Sequence, residues 1–360
     1  MARHFTTDCE GPISKNDNAQ ELSAHFIPEG ETFFAIVSKY DDFLAEVVEK
    51  PGYKAGDTLK LILPFLIAFG ATNAAIRDFS RSHILLVPGA TDTLRFVRRR
   101  MASFIISTSY EPYIQALCDV VDFPVDQVFS TAVDIDRYPL EPDEGSWLRK
   151  TIAEIVEMEM LQWRDDAQGI GDLSENHQET LRRLDRIFWE TIPKMKIGRI
   201  FEEVNPVGGV EKAKAVRKSL EGTGHGLWDV MYVGDSITDV QALDLVREHG
   251  GLAVSFNGNG YAIRSSHVCC MSGDARVLAV LADIFDRDGR AGALDLVTSW
   301  GSDRIHGFSI DSDLLDWLNA MPERAFPRME LVSDSNRMEL IAASEVFRKS
   351  VRGEEIGALG

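Results

Sequence analysis

The chain has 360 residues, 44% of them apolar and 26% charged, enough for two or three folding units around a substantial core. A formal net charge of −19 and a pI near 4.9 argue against a nucleic-acid binder, which needs clustered Lys and Arg. Four cysteines, at 9, 118, 269 and 270, fit neither a zinc spacing nor a disulfide framework, so reduced thiols are expected.

The opening segment MARHFTTDCEG has no apolar leader, and the expectation is a cytoplasmic protein. HFTTD reads as a strand that Gly11 and Pro12 stop, leaving Asp8 at its carboxyl end. From about Glu31 to Arg81, apolar residues recur at three- and four-residue steps and predict helices. Because this block precedes any second strand, residues 14–83 read as an insertion. Its most apolar stretch, starting at Leu59, is broken by Pro64, Gly70 and Asn73, and is expected as a buried helix rather than a membrane span.

Next come a Pro88–Gly89 loop, a helix to Arg100, the strand ASFIIS, a helix from Pro112 and the strand DQVFSTAVDI. Helix alternating with strand indicates parallel crossover units. Residues 145–191 interrupt that rhythm with two amphipathic helices about the Gly169/Gly171 turn. Trp147, Ile155, Met158, Leu161 and Trp163 form an apolar side that must be covered, within the chain or, as the rival, by dimerisation. Alternation resumes with VEKAKAVRKSLEG as helix, WDVMYVGD as strand, ITDVQALDLVREHG as helix and GLAVSFN as strand, with VCCMS as a last edge strand. The rest reads as helical, ending in a polar, frayed tail, VRGEEIGALG. The expected fold is α/β. A Rossmann-like three-layer core with a parallel sheet takes residues 1–13, 84–144 and 192–290. Residues 14–83 form a helical cap, 145–191 a second helical insertion, and 291–360 a mostly helical extension.

Three acids sit where parallel strands end: Asp8, Glu10 and Asp235, with Asp239 one helical turn further on. Ligands of open parallel sheets bind at those ends. Converging acids repel one another unless a cation sits among them, and hard oxygen donors suit magnesium. Asp235 and Asp239 about Ser236 equally suit a helix cap. Ser107 and Thr108, between the strand and the helix from Pro112, could cap that helix or bind an anion. Lys212 could offer a fixed positive charge to a phosphate, and Lys214 competes for that role.

FTTDCEGPI, FIISTSY, Lys212 and YVGDSITD, in this order, resemble the four motifs of the haloacid dehalogenase superfamily. The insertion between the first two resembles its phosphoserine-phosphatase-like branch. A slighter likeness links DCEGP to archaeal proteins named as a subunit of energy-converting hydrogenase. The resemblance implies a magnesium-dependent phosphohydrolase acting on a small phosphorylated metabolite. Asp8 would be the nucleophile and Glu10 the acid/base, with Ser107, Thr108 and Lys212 holding the phosphoryl group. Asp8, the Glu10 carbonyl, Asp235 and Asp239 would hold the metal. Glu10 stands where the superfamily usually has Asp, and Thr108 and Ser109 stand where the phosphatase branch has glycines. A phosphomutase or phosphotransferase on the same core, and a non-catalytic partner protein, remain alternatives.

Overall fold

The structure, a computed structural model, describes residues 3–164, 166–301, 305–353 and 357. Seven strands, β1 (His4–Thr7), β2 (Ala102–Tyr110), β3 (Val128–Thr131), β4 (Val230–Gly234), β5 (Leu252–Phe256), β6 (Val268–Met271) and β7 (Arg328–Leu331), form a sheet of order β3-β2-β1-β4-β5-β6-β7. Neighbours pair in parallel except β7, which runs antiparallel to β6. The two-residue period of the strands feeds two apolar layers. Met231 and Val233 of β4 face the helices Ala90–Arg98, Glu111–Val121 and Arg276–Thr298, whereas Val230 and Tyr232 face Val210–Ser219 and Val240–Glu248. This is the α/β architecture that the alternation of elements implies.

Residues between β1 and β2 form the helices Asn18–Phe26, Gly30–Asp42, Thr58–Ala68 and Asn73–Ser82. Their apolar faces do not join the sheet core. Phe33, Leu61 and Phe65 pack instead with Leu148, Ile152, Leu184 and Phe188 of the second insertion, so the two insertions share one helical core. Ile155 and Leu161 are buried there, and Trp147, Met158 and Trp163 pack against it, so this apolar side is covered within the chain. The helix Pro142–Val156 ends earlier than the amphipathic pattern suggests. Leu161 and Trp163, two residues apart, both turn into the core, which one helix face cannot achieve. No single helix among the described residues is long and apolar enough to cross a membrane.

Three features differ from the sequence reading. Strand β2 continues past Ser107 to Tyr110, with an irregular register against β3 after Ile106. VCCMS is not the edge, because β7 pairs beyond it. The first residues of the supposed frayed tail, Val351 and Arg352, close a long helix, Arg337–Arg352, while residues 354–356 and 358–360 lie outside the described residues.

Because the two insertions share a core, truncating Phe188, which is fully buried in it, should cost about 3–5 kcal/mol in urea unfolding of Phe188→Ala. For the same reason, excising residues 14–83 should expose the apolar faces of the 145–191 segment and yield an aggregating chain on size-exclusion chromatography, rather than a trimmed soluble core.

Candidate active site

β1 and β4 are neighbours with Thr7 opposite Val233, so Asp8 and Asp235 leave the sheet side by side. The Asp8 N–H donates to the Val233 carbonyl at 2.8 Å, and the Cys9 N–H donates to Asp8 Oδ1 at 2.7 Å. The chain then turns at Gly11, with φ +97°, where a Cβ would stand 2.3 Å from Asp235 Oδ2. Only glycine allows these two loops to approach so closely.

Asp239 folds back beneath the end of β4. Its Oδ2 accepts the N–H groups of Asp235 and Ser236 at 3.0 and 3.2 Å, and its Oδ1 accepts the Tyr232 hydroxyl at 2.7 Å. Lys212, fully buried near the start of the helix Val210–Ser219, donates to Asp239 Oδ1 and pairs with Asp8 Oδ2, each at 2.7 Å. Burial works against its charge, but Asp239 and Asp8 together hold the ammonium above the ordinary lysine range. Burial also raises the Asp8 carboxyl, as does Asp239, with Lys212 opposing them. Lys214 points outward and pairs with Glu211 at 2.7 Å, so the lysine of the site is Lys212.

Asp8 opens on a cavity of about 90 Å³. Glu10, Thr108, Ser109 and Asp235 line its sheet side, and Phe34, Asp42 and Leu59 from the helical insertion line the other. The insertion therefore stands over the carboxyl ends of the strands. Glu10 Oε1 accepts the Asn18 N–H at 2.7 Å, at the start of the first insertion helix. The longer side chain of Glu thus ties the core strand to the insertion through a helix N-terminus, which favours an anion. Burial and neighbouring Asp17 push the Glu10 carboxyl up to about 8. Ser107 is fully buried behind the cavity wall, where its hydroxyl accepts the Ser109 N–H at 3.2 Å. Because β2 runs on, Thr108 lies on the wall, its buried hydroxyl without a protein partner.

Asp8, Asp235 and Asp239 each bring an oxygen within 4.8 Å of the others, a donor set that suits a hard divalent cation. Since Asp239 already accepts four hydrogen bonds, Asp8 and Asp235 are the side chains with most to offer such an ion. Glu10 points its carboxylate toward Asn18 and is not part of this group. Two residues that the sequence reading missed complete the site. Arg348 and Arg352, on the last turns of the helix Arg337–Arg352, both pair with Asp235 Oδ2, Arg352 at 3.1 Å. The four-residue spacing that continues the buried stripe of Leu340, Ile341 and Ser344 puts them on the buried face, but it does not say which carboxylate they meet.

No family model and no curated protein sequence matches the chain. Among solved structures, gene product AF1437 from Archaeoglobus fulgidus is 28% identical and superposes with a TM-score of 0.82 over 100% of this chain and 99% of its own. The match spans the whole of this chain, insertions and C-terminal helix included. A substrate-bound phosphoserine phosphatase (13% identity, TM-score 0.43, 77% of this chain and 97% of its own) is a far slighter likeness. So is a HAD family hydrolase from Salmonella enterica serovar Typhi (11%, 0.41, 71% and 62%), and neither carries weight by itself.

Tyr232 fixes Asp239 without bordering the cavity. Tyr232→Phe should cost about 1.5–3 kcal/mol in urea unfolding, the range for a buried hydrogen bond to a charged group.

Proposed function

We propose that the protein is a phosphohydrolase that works through a phosphorylated Asp8. The observation that carries this reading is the Asp8 carboxylate, 5% exposed, held by Lys212 at 2.7 Å and open to the cavity beneath the insertion helices. A carboxylate fixed at one end of a cavity is placed to attack, and Lys212 offsets the charge gathering between it and an incoming phosphoryl group. In the first half-reaction an Asp8 oxygen forms a bond to phosphorus while the bond to the ester oxygen breaks. Glu10, on the same cavity wall, gives that oxygen its proton. In the second, water attacks the phosphorus, Glu10 takes a proton from it, and the bond to Asp8 breaks, restoring the carboxylate. Thr108 borders the same cavity, and its buried, unpartnered hydroxyl would reach a phosphoryl oxygen only after a turn about χ1. Asp8, the Glu10 carbonyl and Asp235 would hold magnesium, which when bound supplies charge to neutralise the phosphoryl oxygens. The helices over the cavity exclude bulk water and shape the leaving-group side, so the substrate is a small phosphate monoester.

Release of phosphate from p-nitrophenyl phosphate and a panel of phosphometabolites, with magnesium, tests the reading. Asp8→Asn should lower turnover by at least about 10⁴-fold while preserving the fold. Failure of the wild type to hydrolyse any monoester, together with failure to bind beryllofluoride as a mimic of phosphorylated Asp8, would overturn it in favour of a scaffold. Glu10→Gln should slow alkyl phosphates more than aryl phosphates, whose leaving groups need less protonation; an equal loss on both removes Glu10 from the acid role.

A further inference from the structure

The helix Arg337–Arg352 is anchored in the molecule at both ends of its buried stripe. Leu340 and Ile341 pack with Ile263, Cys269 and Met271, and the Ser344 hydroxyl donates to the Gly258 carbonyl at 2.7 Å. The stripe then ends in cations rather than apolar groups. Arg348 is 3% exposed, and its guanidinium donates to Asp235 Oδ2, to the Asp235 carbonyl at 3.2 Å and to the Asn257 carbonyl at 3.4 Å. Its Nε is buried with no protein partner. Arg352 donates to Asp235 Oδ2 at 3.1 Å and also to the carbonyls of Lys15 and Asn16, in the loop after β1.

Two guanidiniums therefore share one oxygen of the carboxylate that, on the reading above, holds the divalent cation. Around the cluster, Lys212, Arg348 and Arg352 already stand against Asp8, Asp235 and Asp239, with Asp17 a further carboxyl near both arginines. A divalent cation at Asp235 would meet like charge a few ångströms away in a buried setting, where screening by water is weak. We propose that Arg348 and Arg352 are a built-in cationic partner of Asp235 that competes with a divalent cation for this carboxylate. Metal entry and docking of the last helical turn then oppose each other. The coupling is reciprocal: whatever the docked arginines take from metal affinity, bound metal takes from docking of the helix end.

The inference rests on Asp235 as a cation-holding group, and Mn²⁺ tests it directly. Free Mn²⁺ is measured by its electron paramagnetic resonance signal during titration of the wild type, Arg348→Met, Arg352→Met and Asp235→Asn. In parallel, amide hydrogen exchange over residues 345–352 is followed in the full-length wild type with and without Mn²⁺. The expected result is Mn²⁺ binding on the order of tenfold tighter in Arg348→Met, with a smaller gain in Arg352→Met, and faster exchange at the helix end when wild type is saturated. Equal or weaker Mn²⁺ binding in both folded arginine variants overturns the proposal, as does unchanged exchange at saturation. The exchange arm needs no variant, so it decides the matter even if Arg348→Met, which leaves Asp235 with one cation fewer, does not fold. Asp235→Asn separates the two readings: if it leaves Mn²⁺ affinity unchanged, Asp235 as the cation-holding group fails; if it weakens binding while the arginine variants and the exchange stay unmoved, only the competition fails.

Discussion

A fully buried ammonium group has to be paired, and the pairing of Lys212 with Asp8 and Asp239 is the constraint from which the rest of the site follows. Asp8 arrives on β1, Asp239 on the turn after β4, and Lys212 on the helix Val210–Ser219, so three separate parts of the chain must meet at one point. Each is then held by something that does no chemistry. Tyr232 and two backbone N–H groups fix Asp239, the Cys9 N–H fixes one Asp8 oxygen, and Gly11 lets the Asp235 carboxylate lie against the first loop. Losing one of these partners leaves a buried charge with fewer of its bonds, and this mutual dependence is why the cluster positions Asp8 so firmly.

The cavity lies where two apolar bodies meet. The sheet with its flanking helices is one, and the shared core of the two insertions is the other. Tyr110 belongs to both: it ends β2, packs in the helical core, and donates from its hydroxyl to the Leu59 carbonyl at 2.6 Å. Glu10 makes a second tie through the Asn18 N–H. The insertion helix Asn73–Ser82 also packs along Glu111–Val121 of the sheet layer, so the cleft is the gap left between two bodies that are otherwise in contact. Among the described residues, none of the second insertion lines the cavity; this segment gives the first insertion a core to fold on.

Asp8, Asp235, Asp239 and Lys212 were legible because each stands in a local pattern: a short apolar strand, a glycine turn, a helix start. The structure brings all four together. Three things were not legible, for different reasons. The segment Thr108–Tyr110 reads as lying outside the strand because hydroxyl residues commonly break elements, yet Thr and Tyr also suit strands and here continue β2. β7, with the sequence RMEL, carries an Arg328–Glu330 pair, and charged side chains on an edge strand hide it from any search for apolar alternation. Arg348 and Arg352 lie over a hundred residues from Asp235, and no spacing within the C-terminal helix announces which carboxylate its buried arginines will meet.

That pair also bears on how so acidic a chain could accept an anion. A net charge of −19 should repel a phosphate ester, but most of it is spread over the surface, where charges beyond about 8–10 Å are screened by salt. Lys212, Arg348 and Arg352 are different: buried, close together and shielded from counter-ions, they act at short range with far less screening. Five carboxyl groups, Asp8, Glu10, Asp17, Asp42 and Asp235, line the cavity against Arg348 and Arg352, so the charge it presents depends on how far burial keeps these acids protonated. What an incoming phosphoryl group meets is set by these fixed cations and by the charge state of the carboxyl groups around them, and moving one guanidinium away from Asp235 would change that local balance more than many surface substitutions could.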